Sequence, residues 1–152
     1  MNKITYEEYL QTYGTLTYKN KGTSMLPLLK QGRDAFVIKA VQKTDVCKKW
    51  DVVLFKVGAD TYILHRIIRV HDHGYDILGD NCIKMEKNIP RDAVLGVMTE
   101  YIRKGKTHDV DYVWYRLYVT LWCKPYMARV FMKKIWLKMK NVLKRVKNEK
   151  QK

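Results

Sequence analysis

Between residues 35 and 102 the chain is cut into short apolar runs, and that pattern admits few folds. Residues 35–41, 51–57, 62–70, 75–78 and 94–102 are rich in Val, Ile, Phe and Tyr, with polar residues and glycines between them. Runs this short, bounded by turn residues, are too brief for core helices and read as strands. Many short strands joined by turns make a mainly β body whose neighbours pair antiparallel. Residues 4–13 read as one or two helical turns ending at Gly14, and residues 15–18 as a further short strand.

The period changes after Asp111. Trp114, Leu117, Tyr118, Leu121 and Trp122 recur at helical spacing, which predicts a helix packing that face on the β body. Pro125 breaks or kinks it. A second helix is expected from about residue 127 to 146. Met132, Ile135, Trp136, Met139 and Leu143 fall on one side of it, and Lys133, Lys140, Lys144 and Lys147 on the other.

Charge divides the chain at the same place. The 152 residues carry +15, of which residues 112–152 hold +11, with twelve Lys/Arg against one acid, Glu149. Residues 1–111 hold only +4. The expected organisation is a catalytic-sized β domain over 1–111 and a basic helical tail over 112–152. The tail suits a polyanion. Its basic side and its Trp136 face suit adsorption to an anionic membrane surface, and nucleic acid is the second choice.

Other classes drop out. A hydrophobic fraction of 47% is enough to build a core. Cys47, Cys82 and Cys123 are an odd set without Cys-x-x-Cys spacing, so neither a disulfide framework nor a zinc ribbon is expected. The segment MNKITYEEYLQTYG has acids where a signal peptide has an apolar core, and no long uncharged apolar window follows. A cytoplasmic or peripheral membrane location is expected. His71-Asp72-His73, followed by Gly74, reads as a solvated hairpin, so no metal or cofactor is expected. Cys82 reads as an idle thiol, and Lys84 and Lys87 as surface charge.

Three segments carry groups suited to acyl chemistry. Ser24 stands in Gly22-Thr23-Ser24-Met25-Leu26-Pro27, where glycine permits a tight turn and proline stiffens it. Nearby N–H groups are then left to face an oxyanion. His65 interrupts the apolar run Tyr62-Ile63-Leu64-His65-Arg66-Ile67-Ile68, and an imidazole there is a general base on a rigid strand. Asp80, in Gly79-Asp80-Asn81, either orients His65 or braces the site.

The order of these segments resembles the signal peptidase I clan, which includes the SOS-repressor autoproteases. The family's Ser-Met-x-Pro motif is matched by Ser24, Met25 and Pro27. Its following strand is matched by Asp51-Val52-Val53-Leu54-Phe55, and its Gly-Asp-Asn box by Gly79-Asp80-Asn81. Its base-bearing strand is matched by His65-Arg66-Ile67-Ile68, and its next strand by Ile89-Pro90-Arg91-Asp92-Ala93-Val94-Leu95-Gly96. The base here is of the histidine type. The resemblance spans roughly residues 15–103 and implies a small, distorted antiparallel β-barrel or sandwich.

The resemblance also implies a serine endopeptidase. Ser24 is the nucleophile, His65 the base and Asp80 or Glu86 the acid. Backbone N–H groups around Ser24 receive the oxyanion, and Gly22, Thr23, Met25 and Pro27 line the substrate and oxyanion site. An extended peptide or preprotein lies beside the catalytic strands, shallow pockets select small residues, and a leader or signal-type segment is removed. Two departures stand out. Gly22 occupies a position where signal peptidases often carry a second serine, and no N-terminal membrane anchor is visible. The alternative from another class is a fold that kept these boxes as an inactive peptide-binding module or a basic nucleic-acid-associated protein.

Overall fold

The computed structural model describes residues 4–42 and 44–149. A capping box opens the first helix, α1 (Tyr6–Tyr13). The Glu8 N–H donates to the Thr5 hydroxyl at 3.2 Å, and the Thr5 N–H donates to the Glu8 carboxylate at 2.9 Å. Gly14 closes the helix at φ 71°, a left-handed conformation that costs glycine little.

Among the described residues eight strands follow: β1 (Thr15–Lys19), β2 (Ala35–Ala40), β3 (Val52–Val57), β4 (Thr61–His71), β5 (Gly74–Leu78), β6 (Glu86–Pro90), β7 (Val94–Arg103) and β8 (Lys106–Asp109). They form one antiparallel sheet in the order β1-β2-β7-β3-β4-β5-β6, with β8 added to β7. The apolar runs all appear as strands. β6 and β8 were not legible, because Glu-Lys-Asn-Ile-Pro and Lys-Thr-His-Asp contain almost nothing apolar. They exist by hydrogen bonding to neighbours, β6 to β5 and β8 to β7.

The expected barrel is not closed. β1 pairs only with β2 among the described residues, and β4 changes partner along its length. Residues Thr61–Arg66 of β4 pair with β3, whereas pairing with β5 begins at Arg66. The first half of β4 therefore has one unpaired edge among the described residues. The sheet is buried on both faces at its centre. Val52 and Leu54 belong to one core cluster with Leu16, Phe36, Ile38 and Met98, while Val53 and Phe55 belong to another with Ile67, Tyr75 and Ile77. That is why β3 is a continuous apolar run instead of an alternating one.

The tail forms α2 (Val113–Tyr118), a wider π-type turn at Val119–Cys123, and α3 (Tyr126–Glu149). Pro125 stands between the two helical segments. The packed face matches the expected one only in part: Tyr118 is half-buried against the core. Tyr115, Val119 and Cys123 are buried in the core, whereas Trp114, Leu117 and Leu121 are exposed. The reason is polar: Tyr115 and Tyr118 supply hydroxyl groups that bond to a buried charge pair described below. No helix among the described residues is long and apolar enough to cross a membrane.

Candidate active site

His65 is placed on β4 opposite Val53 and is only 5% exposed. Its Nδ1 lies 3.2 Å from Glu86 Oε2. Glu86 begins β6 and pairs with Ile77 of β5, so two strand pairings carry it to the imidazole. The other ring nitrogen, Nε2, faces Gly79 and the Cys82 sulfur, the latter at 3.9 Å. A Cβ on residue 79 would stand 2.8 Å from His65 Nε2, so the imidazole occupies space that only glycine leaves open.

Asp80 is turned to a different partner. Its carboxylate takes two bonds from Arg66, Nε at 2.8 Å and Nη2 at 2.7 Å, and a third from the Tyr118 hydroxyl at 2.8 Å. Of the two candidate acids, Glu86 contacts His65 and Asp80 braces the site. The orienting role considered for Asp80 is thus corrected by its pairing with Arg66. Arg66 is wholly buried, and its remaining donor reaches the Trp50 carbonyl at 2.8 Å and the Tyr115 hydroxyl at 3.0 Å. Burial opposes its charge, but the Asp80 carboxylate outweighs burial and raises the guanidinium pKa. Burial, with the Asp80 charge added, pushes the Tyr118 hydroxyl far up, so it remains a donor. Burial likewise pushes the Cys123 thiol up to about 12.

Ser24 is half-buried in the loop between β1 and β2, and Met25, Leu28 and Leu29 anchor that loop in the core. Asn20 Nδ2 ties the loop by donating to the Gly22 carbonyl at 2.8 Å and the Leu29 carbonyl at 3.2 Å. Gly22, Thr23 and Pro27 are exposed on it. The Asn81 N–H donates to the Ser24 carbonyl at 2.7 Å, and Asn81 Nδ2 to the Thr23 carbonyl at 3.1 Å. The turn at Gly79-Asp80-Asn81 thus touches His65 at one end and the Ser24 main chain at the other. No hydrogen bond from the Ser24 or Met25 N–H group is formed among the described residues. No hydrogen bond joins Ser24 to His65 among the described residues; such bonds are often long until substrate is bound.

The tail reaches this turn as well. Trp122 Nε1 donates to the Asp80 carbonyl at 3.3 Å, and Lys133 Nζ donates to Asn81 Oδ1 at 2.6 Å and also to the Asn81 carbonyl. Lys133, expected on the membrane side, therefore faces the protein body. Trp136, Lys140, Lys144 and Lys147 are exposed, with Lys140 Nζ over the Trp136 ring at 5.0 Å. Periodicity could not reveal the Arg66, Tyr118 and Lys133 contacts, since each joins residues far apart in the chain. The unusual signal was an arginine inside an apolar strand.

The remaining candidates lie elsewhere. His71 Nε2 sits 3.2 Å from Asp76 Oδ1 at the β4–β5 hairpin, and Lys84 and Lys87 are exposed. Cys82 is half-buried, and burial raises its thiol pKa, with the Glu86 charge adding to that. A cavity of about 510 Å³ opens beside Ser24, between β1 and the unpaired first half of β4. Among known proteins, the chain matches no family model and no curated relative.

Proposed function

We propose that the chain is a serine endopeptidase acting on extended peptides. The observation that carries this reading is the single turn, Gly79-Asp80-Asn81, that packs on His65 and bonds to the Ser24 main chain. Ser24 Oγ attacks the scissile carbonyl and passes its proton to His65 Nε2, while Glu86 holds the Nδ1 proton and fixes the tautomer. The oxyanion falls to the Ser24 and Met25 N–H groups. His65 then gives its proton to the leaving amine, and water releases the acyl group by the same route reversed. The order of motifs, which resembles the signal peptidase clan, supports removal of a leader-type segment. The slot between β1 and β4 supports substrate binding as an added strand.

We propose further that it works at an anionic membrane surface. Met132, Trp136, Met139 and Leu143 leave an exposed apolar face on α3, with Lys140, Lys144 and Lys147 beside it. Binding to vesicles containing phosphatidylglycerol, weakened by salt, supports this; binding to DNA without binding to vesicles overturns it.

A fluorophosphonate probe tests the chemistry. Labelling of the native chain that disappears in Ser24→Ala and falls at least about a hundredfold in His65→Ala is the expected result. The missing Ser24–His65 bond favours a second reading, a peptide-binding module without turnover. Absence of labelling at every pH, with both variants folded, favours that reading instead.

A further inference from the structure

The cavity beside Ser24 is too large and too aromatic for the small residues that the motif resemblance implies. Its walls include Tyr6, Tyr18 and Tyr62, and its floor Phe36, Leu54 and Leu64. The floor residues are each under a tenth exposed. The Tyr6 ring meets Tyr18 edge-on at 5.3 Å and Tyr62 at 4.7 Å, so the three tyrosines form one continuous wall. That wall is fixed from behind. Glu7, the next residue on α1, accepts from the Tyr62 hydroxyl and from Lys56 Nζ, the latter at 2.6 Å. A pocket held open by packed rings is pre-formed and gains little from a methyl group, which would leave most of about 510 Å³ unfilled.

Strand geometry says which part of a substrate enters. A peptide laid in the slot alternates its side chains, so one residue in two points to the floor. Ser24 stands on the cavity wall, which puts the inward residue within a few positions of the scissile bond. We infer that this site selects a bulky apolar or aromatic side chain, Leu or Phe in class, close to the cleaved bond of an extended peptide. The inference rests on the peptidase reading only for the identity of the bond, since the pocket binds such a side chain whether or not Ser24 reacts. Each methylene placed in an apolar pocket is worth about tenfold or more in discrimination.

Fluorescein-tagged tetrapeptide aldehydes test it, with Phe, Leu or Ala at each of the last three positions in turn. With the full chain, a Phe or Leu peptide at one of these positions should block fluorophosphonate labelling at a concentration at least about tenfold below that of the all-Ala peptide. An all-Ala peptide that blocks equally well overturns the pocket while leaving the peptidase intact. Fluorescence anisotropy with Ser24→Ala reads the pocket apart from catalysis. Binding of the Phe peptide at least about tenfold tighter than all-Ala supports the pocket even where native labelling fails, and equal binding overturns it. Leu54→Trp, which fills the floor, should erase the difference; Leu64→Phe serves if that variant does not fold. Selectivity that persists in the folded variant overturns the assignment of this cavity.

Discussion

Lys133 Nζ donates to Asn81 Oδ1 at 2.6 Å, and the N–H of the same Asn81 donates to the Ser24 carbonyl at 2.7 Å. A residue of the basic tail is therefore two bonds from the proposed nucleophile. The +11 tail does more than supply charge, since one of its lysines holds the Gly79-Asp80-Asn81 turn.

Removing that hold should loosen the Ser24 loop without unfolding the protein. A hydrogen bond from a charged donor is worth about 1.5–3 kcal/mol, so Lys133→Met should slow Ser24 acylation about tenfold or more. Lys133→Arg, which keeps a donor, should recover part of the rate. Lys140→Met, which removes a charge lying over Trp136, should leave the rate unchanged. Equal effects of Lys133→Met and Lys140→Met would show that charge matters and the Asn81 contact does not.

The two carboxylates once interchangeable as partners of His65 should separate by what they disturb. Asp80 neutralises the wholly buried Arg66, so Asp80→Ala strands a charge and should cost about 3–5 kcal/mol in urea unfolding. Glu86 is partly exposed and faces His65, so Glu86→Gln should slow acylation and shift stability by about 1 kcal/mol or less. A stable Asp80→Ala protein sinks this division of labour.

How far the residues foretold this arrangement depends on the kind of signal. The central strands were legible because Val52–Phe55 and Ile67–Ile68 are apolar whichever face they bury. The open edge was not, because closure depends on whether β1 meets β4, and neither strand encodes its distant neighbour. The helix from Val113 was legible by period, but its rotation was not. Of the expected stripe, Trp114, Leu117 and Leu121 stay exposed, yet Tyr115 and Tyr118 turn inward because Arg66 and Asp80 need partners. Buried polar demand overrode the hydrophobic pattern.

Acid should act on the Ser24 loop first at Asp34, which closes that loop and is wholly buried. The Arg33 guanidinium holds its carboxyl at about 2 against the opposing effect of burial, helped by the Lys30 and Lys104 N–H groups. An unfolded aspartate titrates near about 3.9, so between these values the unfolded chain binds more protons. The stabilisation is complete above pH of about 4 and is lost as pH falls toward about 2. Thermal midpoints measured across that window should drop for the native chain. Asp34→Asn should start lower at neutral pH and lose its share of the acid slope; an unchanged slope refutes the assignment.

Gly79 gives the sharpest test of the site's geometry. A methyl group there would stand 2.6 Å from the Cys82 sulfur and 2.8 Å from His65 Nε2. Cys82 is a single rotatable side chain and can move aside. His65 is held by Glu86 at Nδ1 and lies in a central strand, so the imidazole must shift or the turn must lift. Either motion spoils proton transfer, and a displacement of about 1 Å can cost a hundredfold. Gly79→Ala should therefore acylate Ser24 at about one hundredth of the native rate while keeping most of its unfolding free energy. Adding Cys82→Ala relieves only the sulfur contact and should not restore the rate. Full recovery in the double variant would mean that the thiol, and not the imidazole, is what the absent side chain protects.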